Sequence, residues 1–455
     1  MKSRSMDLTE GPVVSGIIRY TIPIVLSSAL QLLFNAADLM VVGQFCGSLS
    51  VGAISSTGAM TNLIINLFVG LSVGAGVCVA HAMGSHREEQ LRQTIHTAIP
   101  LSIICGVILT AVGILLTKPL LKLMDTPEDV LPLSATYMII YFGGVTFTLL
   151  YNFGSAILRA AGDTRSSLFY LTAAGILNII LNLIFVVCFH MNVAGVGLAT
   201  VLSQALSALL VLRELMKRPD ACRYHPLQSH IYAGPLRKMV TIGLPAGIQG
   251  CLFSISNVVI QSSVNSFGSV MVAGCGAAAN IEGFIWTTMN GVSQSAVNFI
   301  GQNLGARKFD RIHKVFHSCL WIVSLLGLVM GVSAYLFAPQ LLSIYITDSP
   351  EAIAAGQERM FWISLPYFVC GIMDTLTGCL RGLGKSLLPM FVTVLGVCVL
   401  RVVWVATIFQ IPRFHTPSGL FASYVVSWFV TEIVQFILFK TSLKKLQTQA
   451  ALTSV

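Results

Sequence analysis

The sequence has 455 residues, of which 55% are hydrophobic and only 10% are charged, and its mean hydropathy is +0.81. A soluble globular domain carries about 25% charged residues, so this composition excludes that class and predicts an all-α integral membrane protein. The net charge of +9 requires no nucleic-acid partner, because basic loops beside anionic lipid account for it. The 11 Cys are scattered without a CxxC pair, so we interpret them as small apolar residues and expect no cofactor.

Twelve apolar stretches are long enough to cross a bilayer, which takes about 20 residues each. They lie at residues 17–42, 51–80, 93–117, 132–157, 167–189, 194–213, 241–265, 270–300, 313–338, 358–380, 388–410 and 418–440. Six spans return the chain to its starting side, so the two halves are predicted to be parallel six-helix repeats. The predicted parts are an N-terminal lobe over 1–212, a cytoplasmic linker over 213–240, a C-terminal lobe over 241–440 and a cytoplasmic tail over 441–455.

The two halves also share a pattern of prolines, glycines and arginines at an offset of about 222 residues. This offset aligns Pro23 with Pro245, Asn35 with Asn257, Gly52 with Gly274, Arg159 with Arg381, and Gly162 with Gly384. A repeat of this size on hydrophobic segments is typical of secondary transporters, whose substrate site lies where the two halves meet. The charged residues inside the spans do not follow the repeat.

The basic residues predict the orientation in the membrane. Most of the 27 Lys and Arg residues fall in loops and termini on one side of the predicted spans. The opposite side holds Lys118, Lys122, Arg359 and Arg413, and Arg401 lies inside a span. Because short loops rich in Lys and Arg stay in the cytoplasm, we expect a multi-pass protein of the plasma (inner) membrane with both termini cytoplasmic.

Four charged residues inside predicted spans are the main candidates for function. They are Asp38, Glu282, Asp374 and Arg401. Each would cost about 2.5–3.5 kcal/mol at the centre of a bilayer, so each needs a partner or a water-filled cavity. Glu432 is a weaker candidate, because it lies within two turns of Lys440 and can reach the cytoplasmic interface.

Asp38 has the most polar surroundings of the four. Gln31, Asn35 and Asp38 are spaced i, i+4, i+7, which places them on one face of the first helix. Further polar residues lie on the fifth and sixth predicted spans: Asn178, Asn182 and Thr200. A carboxylate in such a pocket can titrate or take a small cation, whereas the alternative interpretation is that the amides only join helices.

Two interpretations stay open for the acids of the second half. Glu282 and Trp286 are spaced i, i+4, which could offer an organic cation a carboxylate beside an aromatic face. Alternatively, Arg401 neutralises Glu282 or Asp374 as a buried ion pair, and the paired acid is then structural.

Four short stretches, within the doubled twelve-span plan, resemble the multidrug and toxic compound extrusion (MATE) family. They are NAADLMVVG from Asn35 to Gly43, LRAAGDT from Leu158 to Thr164, LNIILN from Leu177 to Asn182, and GQNLGAR from Gly301 to Arg307. The resemblance covers essentially the whole chain. It implies two six-helix lobes in a V shape, alternating access, and export of organic cations or other amphipathic compounds in exchange for entering H⁺ or Na⁺.

The family's cation site is matched only in part. Its Asp on helix one, Asn on helix five and Thr on helix six correspond to Asp38, Asn178 and Thr200. The family usually has a second Asp where this chain has Asn182. Because Na⁺ needs anionic or well-packed oxygen ligands, we expect H⁺ coupling, with Na⁺ at the Asp38 pocket as the alternative. Glu282 and Asp374 match no family position and are candidates only because of the cost of burying them.

The sequence therefore predicts a monomeric cation-coupled antiporter and not an enzyme. A lipid-linked oligosaccharide flippase of the same superfamily is the closest alternative, but it would need cations for pyrophosphate, and three of the four central charges are acids. An intramembrane enzyme would need a nucleophile with its base, or a metal set, within the spans, and none is evident. A channel is less well suited, because asymmetric acids in two repeats favour alternating access over an open, repeated filter.

Overall fold

The structure is a computed structural model that describes residues 5–123, 126–347 and 349–452. The regular structure of these residues is helical throughout. Lys2 and Arg4, which the sequence places in the cytoplasm, and residues 453–455 of the predicted tail lie outside the described residues.

The first half of the chain contains seven α-helices among the described residues. They are α1 (Val13–Phe45), α2 (Ser48–Gly84), α3 (Glu88–Leu123), α4 (Leu131–Gly143), α5 (Val145–Ala160), α6 (Thr164–Leu183) and α7 (Asn192–Lys217). A π-helical turn, Ile184–Cys188, continues α6. Helices α4 and α5 together form one apolar candidate span, Leu131–Ala160.

The second half repeats this order with more breaks. Its helices are α8 (Ala233–Asn265), α9 (Ser269–Gly305), α10 (Phe309–Leu336), α11 (Ala338–Ser343), α12 (Pro350–Trp362), α13 (Tyr367–Gly382), α14 (Leu387–Thr393), α15 (Leu400–Ala406) and α16 (Pro417–Leu452). The π-helical segment Val394–Val399 joins α14 to α15. In the described chain, 11 helices are long and apolar enough to cross a membrane, or 12 if α12 and α13 count as one span. The predicted all-α fold with twelve spans is confirmed.

One predicted span, 358–380, is not a continuous helix. Helix α12 ends at Trp362, α13 begins at Tyr367, and the two are bent by 49°. Pro366 lies in the break. Proline lacks the N–H that continues a helix and restricts the residue before it, which explains the interruption.

The sequence repeat is also a structural repeat. Helices α2 and α9 each have 37 residues, and α5 and α13 each have 16. Gly162 after α5 and Gly384 after α13 both have a positive φ, 84° and 75°. Only glycine adopts this left-handed conformation without steric cost, so the aligned glycines end equivalent helices in the same way.

Contacts divide the chain into two compact units. Unit 1 contains Met1–Asp7 and Leu26–Gly247, and unit 2 contains Leu8–Val25 and Ile248–Val455. This division falls within α1 and within α8, so each of these helices contributes to both units. The lobe boundaries predicted from sequence, at residues 212 and 241, stay a prediction.

Most of the predicted cytoplasmic linker is folded onto unit 1. Helix α7 continues to Lys217 and α8 begins at Ala233. Between them, the His225 N–H donates to Nε2 of His96 (3.2 Å). The Cys222 side chain is fully buried in the same segment.

Glycines allow α2 and α8 to touch through their backbones within unit 1. A Cβ added to Gly70 would lie 2.2 Å from the backbone nitrogen of Gly247, and one added to Gly243 would lie 2.6 Å from Cα of Leu71. These distances are shorter than any real carbon contact, so both positions require glycine. Small residues allow this close approach of membrane helices.

The segment Leu8–Val25 belongs to unit 2 by its contacts. The Leu8 N–H donates to Oε1 of Gln302 (3.3 Å), and the hydroxyls of Thr21 and Ser295 are hydrogen bonded at 2.7 Å. The segment Leu8–Val25 therefore packs against α9, which lies far away in sequence.

Candidate coupling and substrate sites

The polar site of unit 1 is formed by α1 and α6. Asp38 lies on the part of α1 that belongs to unit 1, and Asn178 and Asn182 lie one turn apart on α6. Nδ2 of Asn182 donates to Oδ1 of Asp38 (2.5 Å) and also to Oδ1 of Asn178 (3.3 Å). Asp38, Asn182 and Asn178 are therefore joined in one chain of hydrogen bonds between α1 and α6.

At this site, Oδ1 of Asn182 is buried and has no hydrogen-bond partner in the described chain. Oγ1 of Thr200 on α7 is also buried without a partner among the described residues, and no hydrogen bond joins Thr200 to Asp38 or to the two amides. Asp38 itself is partly exposed, and none of the described Lys, Arg or His side chains lies within 4.0 Å of its carboxylate. Buried polar groups are normally paired, so this site has unused capacity for hydrogen bonding and for positive charge.

The packing of α1 directs Asp38 toward this site. Val42 follows Asp38 by one turn and is buried in a cluster with Val186 and Val196, which follow α6 and lie on α7 respectively. Residues four apart share a helix face, so Asp38 lies on the packed side of α1. Asn35 is exposed, and none of the hydrogen bonds between described residues joins it to Asp38. Asn35 and Thr200 are the predicted members that no hydrogen bond between described residues joins to Asp38 or to the two amides.

In unit 2, Glu282 forms a buried ion pair with Arg359. Nε of Arg359 donates to Oε1 (3.1 Å) and Nη2 donates to Oε2 (2.8 Å), which is the two-pronged arrangement that guanidinium and carboxylate favour. Glu282 is 5% exposed and Arg359 is 8% exposed. Both carboxylate oxygens are thus occupied.

This pair corrects two expectations from the sequence. Arg359 does not stand in an external loop, because α12 carries it into the interior of unit 2. The suggested site for an organic cation between Glu282 and Trp286 is not available, because Arg359 already holds the carboxylate and the Trp286 side chain is 48% exposed while Glu282 is buried. Arg359 could have been recognised from its position at the start of the span predicted at 358–380.

Asp374 is held by a neutral neighbour. Nδ2 of Asn290 on α9 donates to its Oδ2 (3.2 Å), and the Ser293 hydroxyl donates to its backbone carbonyl (2.9 Å). Both bonds join α9 to α13. Asp374 has no described Lys, Arg or His within 4.0 Å.

Arg401 does not neutralise either acid, contrary to the sequence prediction. Its Nε donates to Oγ of Ser427 (2.9 Å), and its guanidinium lies over the ring of Tyr424, 3.9 Å from the centroid. Aromatic faces attract cations, and this contact takes the place of the expected ion pair. Arg401 is buried, with only 2% of its surface exposed, although it forms no ion pair.

The described residues contain no group of three or more His, Cys, Asp and Glu side chains that could hold a metal ion.

Comparison with known proteins identifies the family. The family model MatE matches residues 23–184 and 245–407, one match in each half of the chain. The chain belongs to the MATE family. The resemblance inferred from the sequence is confirmed, and the two matches correspond to the two repeats.

The chain is similar in sequence over most of its length to two relatives with different names. The chain is 28% identical over 398 residues to the probable multidrug resistance protein YpnP of Bacillus subtilis, covering 88% of this chain and 89% of the relative. It is 26% identical over 407 residues to the FAD transporter of Shewanella oneidensis, covering 88% of both chains. The first name refers to multidrug resistance and the second to the transport of FAD.

A solved structure has the same fold. The crystal structure of MATE in the bent conformation matches with a TM-score of 0.90 at 21% identity, and the match covers 98% of each chain. The MATE fold thus extends over nearly all of this protein, which is a multi-span membrane protein of a transporter family that exports drugs.

Proposed function

We propose that this protein is a monomeric H⁺-coupled antiporter of the plasma membrane that exports organic cations or other amphipathic compounds by alternating access. The observation that carries the coupling role is Asp38, a carboxylate inside a span, partly exposed, with an amide as its hydrogen-bond partner and no described cation within 4.0 Å. Acids inside spans are expensive and mark ion pathways.

The orientation of Asn182 supports H⁺ over Na⁺ as the coupling ion. A small hard cation takes several oxygen ligands. Here Asn182 turns an N–H toward Asp38, and its own oxygen Oδ1 has no hydrogen-bond partner among the described residues. With one carboxylate and an N–H donor facing it, the site suits the exchange of a proton at the second carboxylate oxygen better than the enclosure of Na⁺.

In the proposed cycle, a proton that enters from outside binds Asp38 and removes its negative charge, which weakens the binding of a cationic substrate. The neutral form then changes to the inward-open state, in which cytoplasmic substrate and proton compete. A coupling ion shifts the two states only by the difference in its affinity for them, so Asp38 must bind H⁺ differently in each. We also propose that both termini lie in the cytoplasm, as the distribution of basic residues indicates.

The test is export of a cationic dye from proteoliposomes under an imposed pH gradient or an imposed Na⁺ gradient. Asp38→Asn is expected to abolish gradient-driven export while its thermal unfolding midpoint stays near that of the wild type. Glu432→Gln removes another acid from a predicted span and serves as the matched control, with export retained. Full export by Asp38→Asn would refute the coupling role, and export by the wild type driven only by Na⁺ would refute the choice of ion.

A further inference from the structure

Two backbone hydrogen bonds fasten the segment between α7 and α8, residues 218–232, to α3. The His225 N–H donates to Nε2 of His96 (3.2 Å), and the Tyr232 N–H donates to Oγ1 of Thr97 (3.1 Å). His96 and Thr97 are neighbours on α3, and both are buried. Two side chains of one helix therefore hold this linker segment at two points.

Each of the two acceptors is also a donor within α3. Oγ1 of Thr97 donates to the carbonyl oxygen of Gln93 (2.7 Å). Nδ1 of His96 lies 2.9 Å from the carbonyl oxygen of Arg92. Because a carbonyl oxygen can only accept, Nδ1 carries the hydrogen, and Nε2 is the acceptor for the His225 N–H. The arrangement requires a neutral imidazole, since a protonated ring has a hydrogen on both nitrogens and accepts none.

The two attachment points therefore respond differently to acid. The Thr97 hydroxyl remains an acceptor, so its bond to Tyr232 does not depend on pH. Histidine has an ordinary pKa of about 6.5, which places its change of charge between pH 5 and 8. Protonation of His96 would set a second donor against the His225 N–H, at a nitrogen-to-nitrogen distance of 3.2 Å, and the hydrogen bond would be lost.

The linker segment supplies no negative charge that would compensate for a protonated His96. The His96 ring centroid lies 5.3 Å from that of Tyr224 and 6.3 Å from that of His225. No carboxylate of the described chain lies within 4.0 Å of His96. A charge on His96 would thus face an aromatic ring and a second imidazole.

The helices around His96 bring mainly basic groups to the same end of α3. Arg92, one turn before His96, is exposed and forms an ion pair with Glu89 (3.1 Å). Helices α2 and α5 pack against α3 and carry His81 and Arg159 in their last turns. Water thus reaches α3 one turn from His96, and protons can arrive from that side.

We propose that His96 is a pH-sensitive latch, which holds the linker segment on α3 through the His225 N–H while its imidazole is neutral and releases it on protonation. Thr97 keeps the other end of the segment attached. This device goes beyond the proposed export function and does not require it. Only its physiological role rests on that function, because H⁺ taken up in exchange for substrate would reach the side of the membrane on which we place the linker.

His317 on α10 offers a matched control. Its Nδ1 lies 2.8 Å from the carbonyl oxygen of His313, which is the same bond within the helix, but its ring is exposed. None of the hydrogen bonds between described residues joins Nε2 of His317 to another segment. His317→Gln therefore removes a similar histidine without removing an attachment of the linker segment.

The test is hydrogen–deuterium exchange of the linker segment in the full-length protein, followed by mass spectrometry at pH 7.5 and pH 5. No substrate or ion gradient is present, and exchange times are scaled to the intrinsic rate at each pH. Protection of the His225 amide should fall at least about tenfold at pH 5, which is more than one unit below the ordinary pKa of histidine. Protection of the Tyr232 amide should fall less.

The variants assign this response to one ring. His96→Gln cannot titrate, so protection of the His225 amide must be the same at both pH values, whereas His317→Gln should behave as the wild type. His225→Gln keeps the backbone donor and should keep the response. Thr97→Val should lower protection of the Tyr232 amide equally at both pH values.

Equal protection of the His225 amide at both pH values in the wild type would overturn the proposal. A response that persists in His96→Gln, or that disappears in His225→Gln, would also overturn it by assigning the titration to another group. If His96→Gln does not fold, His96→Phe keeps a ring without an acceptor and must leave the amide unprotected at both pH values. Failure of dye export would overturn the proposed function but would not change these exchange results.

Discussion

Asp38 in unit 1 and Arg401 in unit 2 are both charged groups inside candidate spans, and neither has a counter-charge within 4.0 Å among the described residues. Their partners differ in kind. Asp38 accepts a hydrogen bond from Asn182, whereas Arg401 lies against Tyr424 and donates to Ser427. The repeat reproduces helix lengths and terminal glycines but not these charges. The two halves thus share a helical scaffold but differ in the charged residues that it carries.

The largest loss of stability is expected when the ion pair between Glu282 and Arg359 is broken. Arg401 has no such ion pair. Arg359→Met would leave Glu282 buried without its partner, which costs about 3–5 kcal/mol. The double variant Glu282→Gln with Arg359→Met removes both charges and should recover most of this loss. Unfolding in detergent, followed by circular dichroism, measures both. A double variant as unstable as the single one would show that packing, rather than charge, explains the loss.

A smaller loss of stability is expected when the close contact between α2 and α8 in unit 1 is disturbed. Gly243→Ala in unit 1 would force a Cβ against Cα of Leu71, 2.6 Å away, and overpacking of this kind costs about 1–3 kcal/mol. Gly276→Ala on α9 is the matched control, because a Cβ there has no heavy atom within 4 Å among the described residues. The same unfolding measurement applies, and equal stability of the two variants would contradict the close contact.

Asn182→Asp tests whether the number of carboxylates at the Asp38 site decides which ion is coupled to export. A second carboxylate beside Asp38 would add an anionic oxygen ligand of the kind that small cations favour. We expect Na⁺-driven export in proteoliposomes to rise about tenfold, equivalent to about 1.4 kcal/mol of binding. Asn178→Asp, one turn away, is the positional control. If Asn182→Asp left the ion preference unchanged, the identity of residue 182 would not explain H⁺ coupling.

The smallest effect is expected in the chemical labelling of Cys222, which lies in unit 1 outside the spans. Burial raises the pKa of the Cys222 thiol to about 12, so it stays protonated, and the thiolate is the reactive form. Maleimide labelling of Cys222, quantified by mass spectrometry, should stay near zero from pH 7 to 9. Cys188 is exposed and should label in the same sample. Rapid labelling of Cys222 that increases with pH would mean that the segment after α7 opens readily.

Patterns within one helix predicted much of this molecule. The apolar stretches predicted the spans, and the i, i+4 spacing of Asn178 and Asn182 predicted that both amides share the face that meets Asp38. Contacts between distant helices were not predictable in the same way. The partner of Glu282 is 77 positions away, beyond any helical period. The sequence could not choose between an ion pair and a cation–π contact for Arg401, because that choice depends on which face α16 turns toward it.

The contacts of the segment Leu8–Val25 affect how the protein is made. Leu8 and Thr21 bond to Gln302 and Ser295, 294 and 274 positions later in the chain. Ribosomes add about 5–20 residues per second, so this segment waits roughly 15–60 s for its partners. During this interval the first residues of the chain are available to the insertion machinery and to chaperones. Unit 2, although it begins at Leu8, is completed only after the residues that follow Ile248 have been made.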